Sequence, residues 1–249
     1  MIIIKNDKEI DLMRIAGRIV AETLLLVEKK VKPGITTAEL DRIAEEFITK
    51  HGAIPSFKGL YGFPASLCIS VNEQVVHGIP GGYVLKDGDI VSVDCGAYIN
   101  GFHGDAARTF AVGNVSEEAR KLIKVTEESF FKGLEVAKVG NKLTDISHEI
   151  QRYVEASGFS VVRDFVGHGI GRDLHEDPEV PNFGRPGRGP KLVAGMTLAI
   201  EPMVNIGTYR VATLGDDWTV VSADKSLSAH YENTVVILPD GPEILTLIK

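Results

Sequence analysis

The sequence predicts an α/β (α+β) protein made of two related halves packed around a shared sheet. Three observations carry that prediction. The segment VKPGITTAELDRIAEEFITKHG (31–52) aligns without a gap with AKVGNKLTDISHEIQRYVEASG (137–158). Gly34 then matches Gly140, Leu40 matches Ile146, Phe47 matches Tyr153 and Gly52 matches Gly158. His77-Gly78-Ile79 returns as His168-Gly169-Ile170. LKDGDIVSVD (85–94) returns as LVAGMTLAIE (192–201), which sets Asp94 against Glu201. One echo alone carries little, because helices resemble helices; several in the same order, with an acid matched to an acid, point to duplication. A repeat of roughly a hundred residues is too long for a solenoid. Nothing around 110–118 resembles a flexible linker, so 1–249 reads as one domain with halves at approximately 7–112 and 116–249.

Ile10, Met13, Leu24 and Val27 recur at helical spacing and predict a first helix over about 7–30, ended by Lys32-Pro33-Gly34. Thr36 followed by Glu39 fits a capping box that opens a second helix, which runs to about His51 with Gly52 as its stop. The Gly-, Pro- and aromatic-rich stretch 55–66 reads as a loop, and 67–77 and 90–98 read as β-type runs. Ser116 caps a third helix that reaches about Lys138, and a fourth runs from about Thr144 to Gly158. Asn100-Gly101, between Ala97-Tyr98-Ile99 and Phe102-His103, is a strong hairpin signal.

Composition sets the class. With 249 residues, 44% hydrophobic and 24% charged, the chain can bury a substantial core. A net charge of −7 argues against nucleic acid as a main partner, since phosphate binding needs a basic face. The start, MIIIKNDKEIDLM, has its apolar run before its first Lys, the reverse of a secretory signal. No uncharged apolar run approaches the ~20 residues of a membrane span. Cys68 and Cys95 are therefore expected as free thiols, with Cys95 in the core, in a cytoplasmic protein. GHGIG and PGRGP lack the Lys-Ser/Thr of a phosphate loop, and neither GxSxG nor HExxH occurs. The stretch PNFGRPGRGP (181–190) reads as a solvated connection.

The Asn-Gly turn sets a register in which Ile99 pairs with Phe102, Gly96 with Asp105 and Asp94 with Ala107. Asp94 and Asp105 then share one face as diagonal neighbours, ~7–8 Å apart at the backbone, with Gly96 leaving the space opposite Asp105 unfilled. An isolated pair of this kind fits equally a shared cation or the plainer reading, in which both acids pair with Lys or Arg or one points to water. Further acids bear on the choice: Glu201 ends an apolar run before a proline, and Glu232 sits inside another apolar strand. His168, in a tight GHG loop, can add a nitrogen. Four carboxylates and an imidazole exceed one tetrahedral zinc site and suit two hard or borderline divalent ions that activate water.

VDCGAYINGFHGDAARTF, GHGIGRDLHEDP, TLAIEPMV, SAHYENTVV and NEQVVHGIP together resemble the five signature segments of type I methionine aminopeptidases, over essentially the whole chain. The resemblance implies the pita-bread fold, two pseudo-symmetric halves forming a curved, mainly antiparallel sheet flanked by helices. It implies a dinuclear site with Asp94, Asp105, His168, Glu201 and Glu232 as ligands to Co, Mn, Fe or Zn, Asp105 and Glu232 bridging. It also implies removal of an initiator methionine before a small residue, with a metal-bridging water or hydroxide attacking the carbonyl. Glu201 would shuttle protons, His175 would stabilise the oxyanion, and His77 would contact the scissile amide. Phe57, Leu60, Phe63 and Trp218 would line the methionine pocket, although the family commonly has a cysteine at the position of Phe57 and tyrosines at those of Leu60 and Phe63. The substrate would be a nascent-chain N-terminus, in proximity to the ribosome, and the enzyme a monomer. An X-Pro peptidase of the same fold and a non-catalytic peptide-binding relative are the alternatives; the latter class typically loses metal ligands, all of which are present here.

Overall fold

The computed structural model describes residues 1–248. Helix α1 spans Asp7–Glu28, and its start is a reciprocal cap. Asn6 Oδ1 accepts from the Glu9 N–H (3.1 Å) while Glu9 Oε2 accepts from the Asn6 N–H (3.0 Å), so two otherwise orphaned donors are satisfied. The apolar stripe Ile10, Met13, Leu24 and Val27 is buried throughout. Helix α2 (Thr37–Lys50) begins where expected, with Thr36 Oγ1 accepting from the Glu39 N–H at 3.1 Å. Helix α3 (Glu117–Glu135) is capped by Ser116 and stops short of Lys138. There the amides of Val136 and Ala137 turn back to the carbonyls of Gly133 and Leu134, and Ala137 is drawn into the core. Helix α4 spans Leu143–Ala156, one residue earlier than the sequence suggests. Asp145 Oδ2 accepts from the Lys142 N–H, which moves the start forward.

The repeat is visible in three dimensions. Helices α2 and α4 are each 14 residues long and begin and end at aligned positions. Gly52 and Gly158 follow them at φ +74° and +89°, the left-handed conformation that ends a helix and that glycine adopts without steric cost. The isolated antiparallel bridges Thr36–Val84 and Lys142–Lys191 stand at matching places in the two halves. Each half also has its own apolar core. One contains Val20, Leu24, Leu40, Ile48 and Val93, and the other Leu122, Phe130, Ile146, Ile150 and Leu198.

All strand pairings among the described residues are antiparallel. Strands Ile90–Ile99 and Phe102–Ala111 form the hairpin with the register read from Asn100-Gly101. The run 67–77 is not one strand. It breaks into Leu67–Val71, which pairs with Ile90–Ile99, and Gln74–Val76, which pairs with Val220–Ser222. Asn72 makes the break: at φ +56° its side chain accepts from the Ile90 N–H and donates to Asp89. In the second half, Thr197–Ile200 and Met203–Asn205 run beside Asn233–Leu238 and Ser228–His230. Both tracks are interrupted at the same level, at Glu201-Pro202 and Tyr231-Glu232. Glu232 therefore lies at a break between strands and not inside one.

The halves join along a polar seam. Ala107 and Glu232 exchange backbone hydrogen bonds (3.3 and 3.0 Å). Thr109 Oγ1 bonds both backbone groups of His230, and Thr234 Oγ1 bonds both those of Asp105. The Arg108 guanidinium donates to the carbonyls of Ala107 and Glu232 and to Asn233 Oδ1. Replacing Thr234 by the isosteric Val leaves the buried Asp105 N–H and C=O without these partners. Urea unfolding of Thr234→Val is expected to show a loss of about 1–3 kcal/mol; unchanged stability would mean the seam is not set by these bonds.

Candidate metal centre

Asp94 and Asp105 project from the hairpin onto one face. The place opposite Asp105 is not open space. A Cβ on Gly96 would lie 2.7 Å from Ser56 Cβ and 2.9 Å from Phe57 Cε1, so the missing side chain admits the loop that carries Phe57. Glu201 and Glu232 reach the same point from the interrupted ladders of the other half, where Pro202 cannot continue pairing. His168 lies in the short strand Gly167–Gly169 and not in a loop, because its flanking glycines let neighbouring backbone approach closely. Its Nδ1–H donates to Gly169 O at 2.8 Å, which leaves the Nε2 lone pair facing inward, 3.6 Å from Glu201 Oε1 and 3.9 Å from Asp105 Oδ2.

Two residues at this point escape sequence reasoning. His230 is buried, with Nε2 3.7 Å from Glu201 Oε2 and 3.9 Å from Glu232 Oε2. Its only sequence signal is its place two residues before Glu232. Asn182 belongs to the stretch read as solvated, yet it is fully buried and donates to Glu201 O at 2.9 Å.

The donor set fits divalent cations. Asp94 Oδ1, Asp105 Oδ1, Glu232 Oε1 and His230 Nε2 are buried without a hydrogen-bond partner. Ligand atoms of Asp105, His168 and Glu232 lie within 4.8 Å of one another, as do those of Glu201, His230 and Glu232, so Glu232 is common to both groups. Burial raises the carboxyl of Asp94 to about 7. Burial, followed by the neighbouring carboxylates, pushes Asp105, Glu201 and Glu232 well above the usual range. The imidazoles move the other way: burial lowers His77, His103 and His168 to about 4 and His230 to about 3, and lowers His175. A cation relieves the carboxylates, and neutral imidazoles are competent donors.

The acids open into a cavity of about 520 Å³ that every residue singled out in the sequence lines. Phe57, Leu60, Phe63 and Trp218 form an apolar wall, with Phe63 and Trp218 edge-on at 5.1 Å. His77, at φ +59°, stands edge-on to Phe165 at 5.5 Å. His175 is edge-on to His168 at 4.5 Å and stacked on the exposed Tyr61 at 6.4 Å. Tyr61, Cys68, Phe165 and Met203 also line the cavity and were not singled out in the sequence. Both cysteines are free and buried; Cys95 is core, whereas Cys68 pairs opposite Asp94 and faces the cavity.

Hydrolysis assisted by hard cations is the chemistry that such donors serve, so fold and site together define a metallohydrolase. The profile of metallopeptidase family M24 matches residues 11–239, and the chain belongs to that family. It is 80% identical over 249 residues, the full length of both chains, to the methionine aminopeptidase of Clostridium perfringens. A crystal structure of methionine aminopeptidase from Thermotoga maritima superposes with a TM-score of 0.98 at 48% identity, covering 100% of both chains. Prolidase from Pyrococcus furiosus has a TM-score of 0.82 at 23% identity, with 99% of this chain matching 66% of that one; this likeness concerns the fold alone.

The pKa directions set a pH dependence. Carboxyls raised in the folded state bind more protons than in the unfolded chain, so their contribution to stability falls as pH rises through the folded pKa. The depressed imidazoles act oppositely, but only below their unfolded value of ~6.5. Between about pH 6.5 and 8 the carboxyl effect acts alone; the share of Asp94 is used up near its folded value of about 7, and Asp105, Glu201 and Glu232, all raised well above the usual range, carry the effect onward. Calorimetry of the metal-free protein is expected to show a falling Tm across that window, with the slope flattened or reversed by saturating Mn²⁺. The same slope with and without the cation would contradict a cation-coupled carboxylate set.

Proposed function

We propose that the chain removes the N-terminal methionine from peptides and newly made polypeptides whose second residue is small. One observation carries this reading: the hard-donor carboxylates and an apolar wall open into a single cavity. An aminopeptidase of this specificity must hold a free α-amine and one unbranched apolar side chain together. Phe57, Leu60, Phe63, Cys68 and Trp218 supply the apolar side, and the acids beside them supply the polar one. Full-length similarity to the clostridial methionine aminopeptidase supports the same specificity.

Asp94, Asp105, His168, Glu201 and Glu232 would hold two divalent cations, drawn from Co, Mn, Fe or Zn. Bound there, the cations supply the Lewis acidity that polarises the scissile carbonyl and acidifies a water. Glu201, whose carboxyl is raised by burial, takes the proton of the attacking water and passes it to the leaving amine. His175, kept neutral by burial, donates an N–H to the oxygen that gains negative charge. His77 holds the scissile amide. The two halves act as one catalytic domain, in a cytoplasmic monomer working close to the ribosome. No helix among the described residues is long and apolar enough to cross a membrane.

With metal supplied, methionine release from Met-Gly and Met-Ala peptides is expected to exceed that from Met-Lys or N-acetylated peptides. Equal cleavage of X-Pro peptides would favour the prolidase-like alternative. Asp105→Ala and Glu232→Ala are expected to lose more than about a hundredfold in activity and to bind less metal by calorimetry, with circular dichroism unchanged. Full activity in either removes the bridging role.

A further inference from the structure

The first residues of the chain pack against the loop that carries His175. Lys5 donates its backbone N–H to Gly195 O at 2.8 Å, and the Gly195 N–H donates to Ile237 O at 2.8 Å, so Lys5 is tied to the strand Asn233–Leu238. Its ammonium group bonds Glu176 Oε2 and Ile3 O, forming an ion pair with side chains only 2% and 3% exposed. The other oxygen of the same carboxylate, Glu176 Oε1, accepts from the Arg172 N–H (2.8 Å) and the Asp173 N–H (3.4 Å). One buried carboxylate thus closes the loop 171–176, and His175 is its immediate neighbour. A Cβ on Gly171 would fall 2.6 Å from Glu176 Oε1 and 2.7 Å from Lys5 Nζ, so a glycine there is what lets the pair form. Glu176 itself reaches the cavity wall beside His175.

We propose that Lys5 is a positioning residue for His175. By fixing Glu176 from outside the loop, it holds the His175 ring against His168 and Tyr61 and aims its N–H into the cavity. An exposed charge pair could not do this, because water and rotamer freedom would loosen it. A buried pair with each oxygen committed to a different partner leaves the loop one arrangement. A ring displaced by about an ångström loses alignment with the developing charge, which is where positioning acts on rate. The inference rests on the reading of His175 as the donor to that charge, and the experiment separates the two.

Lys5→Met, Glu176→Gln, the double variant Lys5→Met/Glu176→Gln and His175→Ala are compared with the unaltered chain. Four quantities are read: kcat and KM on a Met-Ala tripeptide, metal affinity by calorimetry, Tm, and imidazole ¹⁵N resonances of the metal-free protein. Lys5→Met is expected to lower kcat about tenfold, with KM changed less than about twofold and metal affinity unchanged, while the His175 resonances shift and those of His77 do not. If Lys5→Met fails to fold because Glu176 is left unpaired, the double variant, which buries no net charge, decides; it is expected to fold and still to turn over slowly. Native kcat in the folded double variant, with His175→Ala impaired, overturns the positioning role and leaves the His175 reading standing. Native kcat in His175→Ala overturns the reading itself.

Discussion

Four carboxylates crowded into one small volume, Asp105 and Glu232 buried and Asp94 and Glu201 half-buried, are the constraint on which the rest of this molecule depends. Left ionised they repel across a low dielectric, so the set is stable only with protons or cations among them. Everything nearby follows from that. The imidazoles at the same place are held neutral by burial, and His168 is fixed by its Nδ1 bond so that its other nitrogen looks at the acids. Several acid oxygens have no hydrogen-bond partner, an arrangement costly in a sheet core unless a cation completes it.

The acids come together where the two halves join. Each half has its own helix pair and apolar core, but neither contains the centre. The centre forms where the hairpin strand Phe102–Ala111 meets the backbone around Glu232. That meeting is polar, made by Thr109, Thr234 and Arg108, because interrupted ladders at Glu201 and Glu232 leave backbone groups to be satisfied. The duplication is symmetric in its helices and asymmetric in its chemistry. One half supplies two short aspartates from a hairpin, and the other supplies two longer glutamates from breaks in a ladder.

The cavity shows the same division between backbone and chemistry. Gly96, read in the sequence as leaving open space, and Gly171 are each the point at which a second segment comes into contact. At Gly96 the loop with Phe57 enters, and at Gly171 the Lys5–Glu176 pair enters. The apolar wall and the His175 loop therefore depend on glycines that leave room for a second segment. The first residues of the chain reach that loop through the Lys5–Glu176 pair.

Much of this was legible in the sequence. The repeat, the helix caps, the Asn-Gly register and the shared face of Asp94 and Asp105 are local or periodic, and local backbone preferences and side-chain periodicity determine them without reference to the rest of the fold. The residues that the motifs single out do line one cavity. What the sequence could not decide is what depends on contacts between distant segments. The run 67–77 splits because Asn72 finds Asp89 and Ile90; Glu232 falls at a break because its strand changes partners; Asn182 is buried because Glu201 offers it a carbonyl. No role is legible in the sequence for Lys5, or for His230 although it lies in SAHYENTVV; chain folding sets them against Glu176 and Glu201. The sequence alone determined which groups could do the chemistry; tertiary packing alone decided which of them meet, because burial and long-range contact are properties of the whole chain.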